Sequence, residues 1–122
     1  MKRVTGIGGI FFKAKDPKAL GEWYRKHLGV EVTPWGGAKF KWDGEGVTVW
    51  TPFKEDTKYF APSTSPFMIN YRVDDLVALI AVLKEEGIEV EGDGADSEYG
   101  RFAWVVDPEG NKAELWQPPA AK

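Results

Sequence analysis

The chain of 122 residues offers few of the side chains that most often carry out catalysis or hold metal ions. It contains no cysteine, and its one histidine is His27. The lack of cysteine excludes a thiol nucleophile, a disulfide framework and a thiolate-bound zinc or iron–sulfur site. One histidine excludes a multi-histidine metal cage within one chain, and a Ser-His-Asp triad would have to use His27 itself. Any chemistry must therefore come from carboxylates, hydroxyls, amides or aromatic rings.

Charge and hydropathy argue against two kinds of partner. The chain has 16 Lys and Arg against 19 Asp and Glu, a formal net charge of -3. This acidic balance argues against nucleic acid as the main partner. No apolar run approaches the roughly 20 residues that a membrane helix needs, and the N-terminus lacks the cleavage site of a signal peptide. With no cysteine as well, we expect a cytoplasmic protein that binds neither nucleic acid nor membrane.

Two segments have the pattern of amphipathic helices. Asp16-Pro17 combines an acidic N-cap with proline at the first helical position, and Gly29 suits the C-terminal end. The second helix is predicted to begin at Asp74-Asp75 and to end at Gly87. Apolar residues recur at three- and four-residue spacing in both helices. They are Leu20, Trp23, Tyr24 and Leu28 in the first, and Leu76, Leu79, Ile80, Val82 and Leu83 in the second.

Eight strands are predicted around these helices, from mixed apolar and polar alternation between turn-forming residues. They are Thr5–Lys15, Glu31–Thr33, Ala38–Trp42, Val47–Phe53, Phe67–Val73, Glu89–Glu91, Phe102–Asp107 and Lys112–Gln117. The order of one strand, one helix and three strands therefore occurs twice. The halves also match in sequence, because Gly29–Val32 corresponds to Gly87–Val90 and Val47–Trp50 corresponds to Ala113–Trp116.

This internal repeat defines the expected fold. We predict one α+β domain over residues 1–122, built from two tandem βαβββ modules at 1–53 and 67–118. The polar, proline-bearing segment 54–66 is the expected linker. The modules are expected to form a curved mixed sheet, with a cleft between them that could hold a ligand.

Several motifs resemble those of one known superfamily. They are Lys15-Asp16-Pro17, Trp23-Tyr24 and His27-Leu28-Gly29 in the first half, and Tyr71–Leu76, Gly87-Ile88 and Asp107–Trp116 in the second. The chain resembles the vicinal oxygen chelate superfamily, which includes glyoxalases, bleomycin-resistance proteins and extradiol dioxygenases. The resemblance covers nearly the whole chain. It implies the glyoxalase/bleomycin-resistance fold and, since members usually pair, a homodimer.

In metal-using members of this superfamily, each half supplies one ligand from its first strand and one from its last. The resemblance places these positions at Gly9, Thr48, Met68 and Glu114. Gly9 has no side chain, Met68 carries a soft thioether and Thr48 is a weak neutral donor, so only Glu114 suits a hard cation. A dimer does not restore the ligands, because both chains lack them. We therefore expect no metal cofactor, and a divalent metal is disfavoured.

The resemblance also places Glu114 inside the cleft. It could act there as an acid or base, or accept a hydrogen bond from a ligand. Alternatively, it is solvated or paired with Arg101 or Arg72. Ligand contacts are expected from aromatic and polar side chains on strands and loops, although core packing or surface exposure are the alternatives. These side chains are Asn70, Trp42, Trp50, Tyr99, Arg101, Trp104 and Met68. His27, in the last helical turn, is expected on the outer face.

Three functions remain open at this level. The favoured one is a protein of the bleomycin-resistance kind, which binds a small organic molecule in an aromatic cleft without a metal. The second is a glyoxalase-like lyase or isomerase with Glu114 as general base. The third is a metal-dependent lyase or dioxygenase with an atypical ligand set. The fold alone cannot separate them, because it supports many chemistries.

Overall fold

The computed structural model describes residues 7–42 and 44–120. Two helices and three strands form an α+β arrangement with a mixed sheet, as the sequence predicts. In chain order they are α1 (Pro17–Leu28), β1 (Ile69–Arg72), α2 (Leu76–Glu85), β2 (Arg101–Val106) and β3 (Lys112–Gln117). Over the described part of the chain, neither helix has the length and apolar character required to cross a membrane.

Side-chain caps fix where the two helices begin. The Asp16 carboxylate accepts a hydrogen bond from the backbone N–H of Ala19 at 3.0 Å, and the Asp75 carboxylate accepts one from the N–H of Ala78 at 3.1 Å. These bonds satisfy amide groups that have no carbonyl acceptor within the helix. Gly29 ends α1 in the left-handed conformation, at a φ of 67°. Both predicted helices are therefore confirmed.

The sheet places β3 between the other two strands. β1 runs parallel to β3, and β2 runs antiparallel to it. In this register Asn70 on β1 and Trp104 on β2 lie on either side of Glu114 on β3. Residues that pair directly across neighbouring strands point to the same face, so these three side chains share one face of the sheet.

The opposite face of the sheet packs against α2 and forms the hydrophobic core. The core residues from α2 are Leu76, Ile80 and Leu83, and those from the sheet are Ala103, Val105, Ala113 and Leu115. Leu76, Leu83 and Leu115 have no measurable exposure. Each such leucine contributes roughly 1.5–3 kcal/mol by leaving water. The core therefore rests on the second half of the chain and fixes the position of β3.

The strands predicted in the first half do not form in the described residues. Segments 7–15, 31–33, 38–42 and 47–53 carry no strand pairing, and residues 5 and 6 of the first predicted strand lie outside the described ranges. In the second half, the predicted strand 89–91 keeps one bridge, between Glu91 and Trp104.

The physical reason is a lack of cover for the apolar side chains of these segments. A strand is stable when its backbone pairs with a neighbour and one face packs on a core. Outside α1, most large apolar residues of the described first half are instead exposed: Ile7, Ile10, Phe11, Phe12, Trp35, Phe40, Trp42, Val47, Val49, Trp50 and Phe53. Alternation predicts which residues would share a face, but it does not show what covers that face.

The turn that begins at Asp107 fastens α1 to the second half. Asp107 is buried, and its Oδ2 atom accepts hydrogen bonds from the Tyr24 hydroxyl at 2.8 Å and from Asn111 Nδ2 at 3.0 Å. Its Oδ1 atom accepts from the backbone N–H groups of Glu109 and Asn111, each at 2.9 Å. Four donors thus stabilise a buried carboxylate that would be costly without them.

Two further observations support this attachment of α1. The Glu109 carboxylate accepts hydrogen bonds from the backbone N–H groups of Lys15 and Asp16, at 2.9 and 3.0 Å. Burial raises the pKa of the Tyr24 phenol well above its ordinary value, and the neighbouring Tyr71 and Asp107 add to the effect. Tyr24 therefore stays protonated and remains a hydrogen-bond donor to Asp107.

Candidate ligand-binding site

Glu114 lies at the centre of the sheet face that α2 does not cover. Its side chain is only 8% exposed. Asn70 Nδ2 donates a hydrogen bond to Oε1 at 2.7 Å, and Trp104 Nε1 donates one to Oε2 at 2.9 Å. The Tyr59 hydroxyl, from the segment between the two halves, donates to Oε2 at 2.5 Å. Both carboxylate oxygens are therefore engaged by three donors from three different parts of the chain.

Tyr59 acts as a donor because its phenol stays protonated. Burial raises the pKa of Tyr59 well above the ordinary value for tyrosine, and the hydrogen bond to Glu114 raises it further. The ring also stacks on Phe53, with centroids 5.5 Å apart, and meets Trp104 edge to face at 6.0 Å. These contacts hold the segment around Tyr59 against the sheet.

Lys112 is a buried cation in the same region. It is 7% exposed, and its Nζ donates a hydrogen bond to the Tyr59 carbonyl at 2.8 Å. The same atom lies 5.5 Å from the ring centroids of both Tyr59 and Trp104, and 3.5 Å from Glu91 Oε2. Sequence reasoning missed Lys112. Its position could have revealed it, since Lys112 lies two residues before Glu114 and therefore points to the same face of the strand.

Three aromatic rings form a row across this face. The ring of Phe102 is nearly parallel to those of Trp104 and Trp116, with interplanar angles of 15° and 17° and centroid distances of 6.5 and 6.3 Å. All three side chains are half-buried. A row of parallel, partly exposed rings can stack against a flat apolar molecule.

A groove of about 510 Å³ runs along the edge of the sheet beside Trp104. This volume lies in the range of small-molecule sites. The lining residues are Trp23, Pro62, Gly87, Ile88, Glu89, Val90, Glu91, Trp104, Val105, Val106 and Lys112. The groove thus combines mostly apolar walls with one buried cation and two acidic side chains.

The structure brings together three of the residues predicted for the site, Glu114, Asn70 and Trp104. Met68 lies next to β1 and is half-buried. Arg101 donates a hydrogen bond to the Gly94 carbonyl at 2.8 Å.

The other predicted contacts lie elsewhere. Tyr99 is exposed, and its carbonyl accepts a hydrogen bond from Trp116 Nε1. Trp42 and Trp50 are 90% and 78% exposed and do not line the groove. His27 Nδ1 lies 2.9 Å from Glu86 Oε1, at the junction of the two helices.

The residues around Glu114 do not fit the divalent metal that metal-using relatives hold. Within residues 7–42 and 44–120, no three His, Cys, Asp or Glu side chains come together as a ligand group. The neighbours of Glu114 are N–H and O–H groups whose hydrogens point at its carboxylate, and none of them is a carboxylate or an imidazole. The other family ligand positions are Gly9, Thr48 and Met68, which are poor ligands for a hard ion.

Comparison with known proteins identifies the family. A family model described as a glyoxalase-like domain matches residues 9–116. The chain therefore belongs to the glyoxalase-like family of the vicinal oxygen chelate superfamily, and the resemblance predicted from its motifs is confirmed. A search among curated proteins found no match.

Solved structures share this fold. The antibiotic-binding protein TnmS3 from Streptomyces sp. CB03234 superposes with a TM-score of 0.63 at 20% identity, over 98% of this chain and all of that one. The oxidase ChaP-H2 superposes with a TM-score of 0.54 at 20% identity, over 89% of this chain and 90% of that one. A protein from the mobile metagenome of V. Pseudocholerae superposes with a TM-score of 0.56 at 15% identity, over 97% of this chain and all of that one. At such identities the likeness shows the fold alone.

Proposed function

We propose that this protein binds a small organic molecule in the groove beside Trp104 and does so without a metal ion. The observation that carries the proposal is the groove itself, about 510 Å³ in volume and lined mainly by apolar side chains. The hydrogen-bond donors around Glu114 support binding without a metal ion, because they occupy both oxygens of its carboxylate. One relative of the same fold is an antibiotic-binding protein, which makes binding a reasonable role for this fold.

Calorimetric titration with a neutral flat probe, 2-naphthamide, tests this proposal. We expect saturable binding that a chelator does not change. Trp104→Ala should weaken binding by about tenfold, because the contact with one aromatic ring is lost. Trp42→Ala is the matched control, since Trp42 is exposed and outside the groove. The absence of binding, or equal effects of the two substitutions in folded protein, would overturn the proposal.

Two alternatives make different predictions for Glu114. If it were the general base of a lyase or isomerase, Glu114→Gln would abolish turnover and leave binding intact, whereas the binding proposal predicts only modest weakening. As a base it would have to exchange Tyr59 or Trp104 for the substrate, since both donate to its Oε2 atom. A metal-dependent enzyme would instead purify, untagged, with a nearly stoichiometric divalent ion, and elemental analysis would detect it.

A cytoplasmic location stays an expectation from the sequence.

We also expect two copies of the chain to pair. The exposed aromatic and branched residues of the first half support pairing, since a second copy would remove them from water. Light scattering coupled to gel filtration should give twice the chain mass. Trp42→Glu and Trp50→Glu should shift the measured mass toward that of a single chain, whereas Tyr99→Glu should leave it unchanged. A monomer at all concentrations would contradict this.

A further inference from the structure

The groove contains one buried positive charge, that of Lys112. Its side chain is 7% exposed and lines the groove together with Trp104. A buried ammonium group must be compensated by acceptors, because it has lost its water. The compensation provided here consists of one hydrogen bond, to the Tyr59 carbonyl, the faces of two aromatic rings and a long ion pair with Glu91.

This compensation leaves donor capacity unused. An ammonium group has three N–H donors, and the Tyr59 carbonyl uses one of them. Glu91 Oε2 lies 3.5 Å from Nζ, which is longer than a good hydrogen bond. The Glu91 side chain is also 66% exposed, so water screens its charge. An acceptor oxygen on a molecule in the groove could therefore bond to Lys112 without displacing a strong partner.

The neighbouring carboxylates set the charge of the groove. Glu114, on the same strand face as Lys112, already has three hydrogen-bond donors on its own oxygens. Glu89 and Glu91 belong to the groove lining but are exposed. Interactions of exposed charges are weakened by water and salt, whereas that of a buried charge persists. Glu114 does not line the groove, and Lys112 is the buried one among the charged residues that do, so Lys112 mainly sets the electrostatic preference of the groove.

We propose that the ligand is a flat aromatic molecule with an acidic oxygen, either a carboxylate or a phenolate, that bonds to Lys112 Nζ while its rings lie on the apolar lining next to Trp104. This inference rests on the proposed function and names the class of ligand for the same groove. The charged hydrogen bond supplies specificity, and the apolar walls supply most of the contact area.

Two probes of the same shape isolate the contribution of the charge. Titration calorimetry compares 2-naphthoate, which is anionic, with 2-naphthamide, which is neutral. We expect 2-naphthoate to bind about tenfold more tightly, the amount expected for one charge-assisted hydrogen bond. Lys112→Met keeps an unbranched apolar side chain and removes the charge. This variant should bind both probes with similar affinity.

Glu91→Gln is the matched control, because it changes the exposed partner of the Lys112–Glu91 ion pair. Folding does not depend on this exposed carboxylate. It should increase the preference for 2-naphthoate by a few fold, because Lys112 loses its nearest competing carboxylate. Opposite effects of the two substitutions support the inference. Equal affinity of the wild-type protein for both probes, or an unchanged preference in either variant, overturns it while leaving the proposed function intact. Failure of both probes to bind overturns the proposed function and the ligand class with it.

Discussion

The two halves of the chain share a sequence pattern but differ in how their apolar residues are packed. In the second half, α2 lies on one face of the sheet and buries Leu83 and Leu115 completely. In the first half α1 is the only regular element among residues 7–42 and 44–53. The residue that corresponds to Leu115 in the repeat, Val49, is 68% exposed. The same alternation therefore leads to a core in one half and to an uncovered surface in the other.

This difference shows that an internal repeat specifies which residues can share a face, whereas stability depends on what covers that face. Side-chain hydrogen bonds attach the first half to the second: the Tyr24 hydroxyl donates to Asp107, and the Glu109 carboxylate accepts from two backbone N–H groups at the start of α1. Its strand segments have no comparable attachment among the described residues. We therefore expect substitutions in the two halves to have very different consequences.

The largest expected difference is between Leu115→Ala and Val49→Ala. Leu115→Ala leaves a cavity in the core and should lower the free energy of unfolding by about 2–5 kcal/mol. Val49→Ala removes exposed carbon atoms and should change it by less than about 0.5 kcal/mol. Urea denaturation followed by circular dichroism measures both. Equal effects would contradict the comparison. An effect of Val49→Ala that grows with protein concentration would show that a second copy covers this residue.

The helices and the strand β3 could be predicted from the sequence because their signals are local. Asp16 and Asp75 cap the helices by accepting hydrogen bonds from backbone N–H groups three residues further along the chain, and Lys112–Gln117 alternates between two faces. The contact between Asn70 and Glu114 could not be predicted in the same way. It depends on β1 lying beside β3, a pairing across 44 residues.

Two other parts of the site were beyond local reasoning. Tyr59 lies in a polar segment that carries no periodic pattern, and its hydrogen bond to Glu114 spans 55 residues. Lys112 was on the correct face, but its burial depends on Tyr59 and Trp104 together. Conversely, Trp42 and Trp50 were predicted to contact a ligand because they are aromatic residues on predicted strands, and the structure leaves both exposed.

A smaller effect is expected when the attachment of α1 is weakened. Tyr24→Phe removes the hydroxyl that donates to the buried Asp107 carboxylate, so the free energy of unfolding should fall by about 1.5–3 kcal/mol. Tyr99→Phe, at an exposed position, should have little effect. Denaturation in urea at neutral pH tests this. Similar losses for the two variants would show that the two halves are not joined through Tyr24.

The pH dependence of stability provides a second test of this attachment. Burial raises the pKa of Tyr24, so above about pH 10 the unfolded chain releases the phenol proton while the folded chain keeps it. The folded state is then favoured less as pH rises, by up to about 1.4 kcal/mol per pH unit for this group. Tyr24→Phe should reduce this alkaline loss. An unchanged pH profile would contradict the role assigned to the Tyr24 hydroxyl.

The smallest effect concerns the linker, where Tyr59 and Glu114 should be energetically coupled. A double-mutant cycle of Tyr59→Phe and Glu114→Gln should give a coupling energy of about 1 kcal/mol, since the bond is charge-assisted but partly open to water. A parallel cycle of Tyr99→Phe and Glu114→Gln should give a coupling near zero. If both cycles give the same value, Glu114 does not hold the segment around Tyr59. Its carboxylate would then be open to a substrate, and the general-base alternative would gain over simple binding.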